Sequence, residues 1–121
     1  MLFGMALSFL FGNIILKNIV ARPRPCAVDT SVILLIPFPS EYSFPSGHST
    51  CSFTAAFILF GYHRLAGAAA IVLAGIIAFS RMYLFVHYPT DILGGICVAL
   101  VDSCLIFLFV RAWDKRRAAR A

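Results

Sequence analysis

No charged residue occurs from Met1 to Leu16 or from Leu65 to Ser80, and Asp102 stands alone between Ile92 and Val110. Segments of this kind leave no polar face to turn toward water. Inside a bilayer the backbone must satisfy its own polar groups, which a helix does within one segment. Because 61% of the 121 residues are hydrophobic and only 12% are charged, the chain departs from soluble domains, which are about half apolar and a quarter charged. Disorder requires the opposite bias and is excluded. The expected fold class is all-α: a transmembrane helical bundle of about four spans.

The net charge of +5 does not read as nucleic-acid binding, because the cations are placed wrongly for it. Arg111, Lys115, Arg116, Arg117 and Arg120 form a basic tail, residues 111–121, as expected where a membrane protein emerges into the cytoplasm. Cys51, Cys97 and Cys104 lie in apolar runs and Cys26 in a loop. They read as buried small hydrophobes, and their spacing makes no zinc pattern.

The first helix is expected to end near Lys17, since Pro23 and Pro25 forbid its continuation. A connection from about Arg22 to Gly47 holds five of the six prolines and cannot span. Its apolar stretch Val32–Phe38 either lies in the membrane interface or folds against the bundle. The second helix is expected from near His48 to Tyr62, the third from about Leu65 into the Arg81–Leu84 region, and the fourth from about Pro89 to Val110. Successive spans alternate in direction, so one face collects Lys17, Arg22, Arg24, His48, Arg81, His87 and Asp91. The other collects Arg64 and the basic tail. The lysine and arginine bias places that second face in the cytoplasm and the polar cluster outside it.

Cations at a bilayer edge need an anionic partner, and the acids available on that face are Asp29, Glu41 and Asp91. A bound phosphate supplies the missing charge. Pro45-Ser46-Gly47-His48 at the mouth of the second helix fits this reading, because N–H groups at a helix N-terminus make an anion cradle, although a Ser-Gly pair there is commonly only a cap.

The motifs are Lys17, six residues, Arg24-Pro25; then Pro45-Ser46-Gly47-His48; then Ser80-Arg81, five residues, His87, three residues, Asp91. This resembles the three-part signature of the type 2 phosphatidic acid phosphatase family at all eleven specified positions. The resemblance implies a single membrane domain over residues 1–121 and a lipid phosphate phosphatase. It casts His87 as the nucleophile that forms a phosphohistidine, Asp91 as the acid that fixes the tautomer of His87, and His48 as general acid and then base. Lys17, Arg24 and Arg81 hold the phosphate oxygens, assisted by Ser46 and the Gly47 backbone. No metal or other cofactor is implied, since three cations and a helix terminus supply the positive charge. Neutral His87 and protonated His48 together predict a bell-shaped pH profile. His63 receives no role.

The implied substrates are phosphatidate, phosphatidylglycerol phosphate or a polyprenyl diphosphate such as undecaprenyl diphosphate. The implied setting is a bacterial cell membrane, with the site facing outward and the C-terminus cytoplasmic. Soluble relatives, the acid phosphatases and vanadate-dependent haloperoxidases, are disfavoured by the apolar spans. The alternatives are a lipid-phosphate-binding or assembly module of the same fold without turnover, or a phosphotransferase. Membrane members of the family typically have six helices. The chain therefore reads either as a fragment lacking two N-terminal helices or as a minimal form completed by association, including as a homo-oligomer. Asp102, eleven residues beyond Asp91 and so about 16 Å along a helix, is expected to stay outside the phosphate site, neutral or hydrogen-bonded between helices rather than acting as a proton relay, with Ser8 and Asn13 as candidate partners.

Overall fold

The computed structural model describes residues 9–120 together with Phe3 and Ala6. Among the described residues every regular element is helical. A π-wound segment, Phe9–Leu16, runs into α1 (Lys17–Val20), and α2 (Pro25–Val28) is a single turn within the long connection. The body consists of α3 (Gly47–Tyr62), α4 (Arg64–Tyr83) and α5 (Pro89–Arg120).

Local chemistry sets these boundaries. Ala21 adopts a left-handed conformation with φ 47° and donates its N–H to the Lys17 carbonyl, which ends α1 before the prolines. Ser46 caps α3, and Pro25 and Pro89 open α2 and α5, where a missing N–H costs nothing. The expected starts and ends of the second and third helices agree with α3 and α4 to within a residue or so. The fourth helix continues past Val110 to Arg120, because the alanines and arginines of the tail are good helix formers and no proline or glycine interrupts them. At 32 residues it is about 48 Å long, so its basic end projects well beyond a hydrocarbon core of about 30 Å.

α3 packs against both α4 and α5. Its reversal into α4 takes only His63, and it is tight: a Cβ at Gly67 would sit 2.1 Å from Phe60 Cα. The buried positions of α4 are small, Gly67, Ala74 and Ala78, and α5 buries Gly95, Ala99 and Ser103 beside Ile92 and two aspartates. Large side chains point outward instead, among them Val72, Ile76 and Phe79 of α4 and Leu93, Val101 and Leu108 of α5. Small residues inside and large apolar residues outside is how helices pack in lipid. By length and composition α4 and α5 can each cross a bilayer. α3, at 16 residues or about 24 Å, is shorter than a full span, so in a bilayer crossed by its neighbours its first turn would be recessed. Much of the expected first span lies outside the described residues.

One expectation is overturned and one open alternative is narrowed. Cys97 and Cys104 are exposed on the outer face of α5, whereas Cys26, in the connection, is the cysteine that is buried. Within Val32–Phe38 the side chains of Ile33, Leu35 and Phe38 point outward rather than packing on the bundle. Of the two readings of that stretch, folding against the helices does not describe these positions.

The approach of α5 to the mouth of α3 depends on Gly95, where a Cβ would lie 2.9 Å from the Ser46 carbonyl oxygen and 3.1 Å from Ser49 Cβ. Gly95→Val should therefore push the two helices apart at about 1–3 kcal/mol. In detergent this appears as a Tm lowered by several degrees, and an unchanged Tm would show that the helices do not meet so closely.

Candidate active site

Four separate parts of the sequence meet at the mouth of α3. α1 contributes Lys17, the long connection contributes Arg24 and Glu41, the end of α4 contributes Arg81, and the α4–α5 junction contributes His87. Together they enclose a cavity of ≈ 490 Å³ lined by Lys17, Arg24, Gly47, His48, Arg81 and His87. Asp91 and Ser46 do not line it; both are fully buried behind its wall.

His87 is 4% exposed. Its Nε2 lies 3.1 Å from Arg24 Nη1. A guanidinium can only donate, so Nε2 must carry the lone pair and the proton must sit on Nδ1. On that side Asp91 Oδ2 lies 3.5 Å away, an ion-pair separation at which Nδ1 makes no formed hydrogen bond. Burial holds His87 below the ordinary histidine pKa, and the Arg24 and Lys17 charges act the same way, while Asp91 pulls it upward. The imidazole is therefore neutral near pH 7, with its lone pair on the nitrogen that Arg24 contacts.

Asp91 is held from several directions. Arg22 Nη1 donates to Oδ1 at 3.0 Å, while Oδ2 accepts from the Tyr88 N–H at 2.8 Å and from the Ser43 hydroxyl. Its backbone carbonyl accepts the Ser46 N–H at 3.0 Å, tying the start of α5 to the mouth of α3. Arg22 also stacks 4.0 Å over the Tyr88 ring. Arg22 and Arg24 each precede a proline, which disfavours helical backbone at both. Both side chains are thereby free to reach the His87–Asp91 pair.

Around the cavity, Lys17 Nζ donates to Glu41 Oε2 at 2.6 Å, and Arg24 Nε donates to the Glu41 carbonyl at 2.7 Å. The Lys17 ammonium holds the Glu41 carboxyl below its usual pKa. Arg24 Nη1 also donates to the Val86 carbonyl at 3.0 Å. Arg81 brings a buried Nε with no partner among the described residues. His48 is exposed on the first turn of α3. Three cations, a neutral imidazole and a second histidine thus face one space, an arrangement suited to an oxyanion with several negative oxygens and to its transfer onto nitrogen.

Ser46 is placed differently from its expected role. Its Oγ accepts from the Ser49 N–H at 3.4 Å and from the Ser49 hydroxyl at 3.0 Å, so it caps the helix, and Gly47 is what the cradle presents to the cavity. Asp102 lies outside the cavity, and its Oδ2 has no partner among the described residues. Ser8 and the Asn13 side chain lie outside what the structure describes. Arg22 is expected on this face but receives no role there, and Ser43 is not expected in the site. The signal available for Arg22 was its alternation with Arg24 between prolines, whereas nothing local marks Ser43.

The model of the PAP2 superfamily matches residues 1–115. The chain is 32% identical over 97 residues to undecaprenyl-diphosphatase BcrC of Bacillus subtilis, covering 80% of this chain and 50% of that protein. Two crystal structures share the fold. The transmembrane PAP2 type phosphatidylglycerolphosphate phosphatase of Bacillus subtilis superposes with TM-score 0.66 at 30% identity, covering 92% of this chain and 57% of the other. Aquifex aeolicus LpxE gives TM-score 0.74 at 30% identity, covering 84% and 61%. The chain spans about half the length of the curated relatives it matches.

Proposed function

This chain belongs to the PAP2 superfamily and is an integral membrane protein, and from that premise we propose that it removes phosphate from a lipid phosphomonoester or lipid diphosphate through a phosphohistidine on His87. The observation that carries this reading is the pairing at His87: a donor-only guanidinium on Nε2 and a carboxylate behind Nδ1 leave the lone pair on the side that faces the cations.

The chemistry follows from these positions. Lys17, Arg24 and Arg81 take the phosphate oxygens, and in doing so Arg24 leaves Nε2. That lone pair attacks phosphorus, the bond from phosphorus to the leaving oxygen breaks, that of the lipid alcohol in a monoester or of the lipid monophosphate in a diphosphate, and His48 gives its proton to the departing oxygen. His48 then takes a proton from water, the water oxygen attacks phosphorus, and the P–N bond breaks to release inorganic phosphate. Asp91 stabilises the charge that forms on the His87 ring.

The recessed mouth of α3 suits a headgroup whose tail stays in the bilayer, and the exposed apolar stretch Val32–Phe38 suits the interface beside it. The basic tail favours a cytoplasmic C-terminus, with the cavity on the opposite side of the membrane. The names of the relatives favour polyprenyl diphosphate and phosphatidylglycerol phosphate as the first substrates to try.

Purified protein in detergent with EDTA should release inorganic phosphate from at least one member of a panel of lipid mono- and diphosphates. Activity lost with chelator and restored by a divalent ion would contradict the metal-independent chemistry. Lipid phosphate bound without release would favour the binding module, and phosphate passed to an alcohol rather than to water would favour the phosphotransferase.

A further inference from the structure

Glu41 has no part in the steps above, yet it stands in the cavity with its carboxylate on one of the phosphate-binding cations. The two partners differ in environment: the Lys17 side chain is 7% exposed and that of Glu41 is 65% exposed. Lys17 is fixed within the wall, while Glu41 reaches in from the solvent side of the connection. We propose that Glu41 is a built-in competitor for Lys17, displaced by dianionic phosphates but not by singly charged phosphodiesters, and so a specificity-determining residue of this site.

The reasoning is a comparison of charges. A carboxylate in a partly exposed ion pair is held weakly, because water screens the attraction and the long side chains lose freedom in forming it. A phosphomonoester brings a charge of about −1.5 to −2 and three acceptor oxygens, enough to engage Lys17, Arg24 and Arg81 together. A phosphodiester brings one negative charge and two free oxygens, no more charge than Glu41 already places there. It must also replace a carboxylate that is tethered to the wall and therefore present at high effective concentration. A protein embedded in a bilayer meets phosphodiester headgroups in great excess over any monoester. Specificity there requires a penalty on the wrong ligand as well as attraction for the right one. The Glu41 carbonyl accepts from Arg24 Nε, so withdrawing the carboxylate need not disturb the backbone contact.

The inference deepens the phosphatase reading and rests on its phosphate site, but its test does not need turnover. Inorganic phosphate binding is measured by calorimetry in detergent for the wild type, for Glu41→Gln and for Asp29→Asn. Asp29 is an exposed acid of the same connection that bonds Ser31 and does not line the cavity, so it reports the general effect of removing one negative charge. Glu41→Gln should bind phosphate about two- to fivefold more tightly, and Asp29→Asn should change little. Phosphatidylglycerol in mixed micelles should compete with phosphate for Glu41→Gln and only weakly for the wild type. Equal or weaker phosphate binding by Glu41→Gln would overturn the proposal, showing that Glu41 supports the cations rather than competing for them. Equal gains in both variants would overturn it as well. Tighter phosphate binding and new diester competition in Glu41→Gln, alongside no phosphate release from any lipid, would sink the hydrolase reading and leave this one standing.

Discussion

His87→Ala, once shown to be folded and extracted as the wild type is, should release lipid phosphate at least about 1,000-fold more slowly, because removing a nucleophile abolishes the covalent route rather than weakening it. His48 faces the same cavity, but it is assigned the proton and cannot both attack and protonate the leaving group. The alanine variant removes a buried ring at 4% exposure and leaves a void, so some loss of stability accompanies it. His87→Gln separates the two effects, since its side chain fills more of the space and carries no basic nitrogen. Both variants should lose activity to the same extent while differing in Tm. Rapid quenching of wild-type protein with radiolabelled lipid phosphate should trap acid-labile label on the chain, and none on either variant. Residual activity above about a tenth of wild type would mean that another group attacks phosphorus.

The helices were legible because their signals are local: charge-free runs, Ser46 as a cap, and prolines at 23, 25 and 89 as stops and starts. The meeting of Lys17, Arg24, His48, Arg81 and His87 was legible from motif resemblance and from alternation of spans, neither of which needs side-chain geometry. What surrounds them was not. Ser43 reaches Asp91 from 48 residues away and Lys17 reaches Glu41 from 24, pairings fixed by the path of an irregular connection that has no periodicity to read. Ser46 was expected on the anion because the cradle and the cap share one sequence pattern, and only the direction of the hydroxyl tells them apart. The cysteines were misplaced because a bilayer reverses the usual inference: in lipid an apolar residue has no reason to be inside.

Asp91→Asn should lower kcat by about 10²- to 10⁴-fold while shifting the acid limb of kcat/KM to lower pH. The carboxylate accepts on both oxygens, from Arg22 on one and from Ser43 and the Tyr88 N–H on the other, with His87 Nδ1 at 3.5 Å. An amide cannot match this in either orientation. With its NH2 toward Arg22 it sets donor against donor. Turned the other way, it offers N–H to His87 Nδ1, which must then accept, and the ring proton moves to Nε2. The lone pair leaves the attacking nitrogen, and Arg24 meets an N–H instead of an acceptor. The pH shift follows from sign. His87 attacks only when neutral, so the acid limb marks its protonation in the free enzyme. Burial already sets that pKa low, and Asp91 is the neighbour that raises it. Removing the carboxylate lets the pKa fall further, so the slower enzyme stays competent to more acidic pH. A lost general base would leave the surviving activity without that limb, and a merely loosened fold would admit water and carry the limb back toward the ordinary histidine value. Only a carboxylate acting on a neutral His87 lowers the rate and moves the limb downward together.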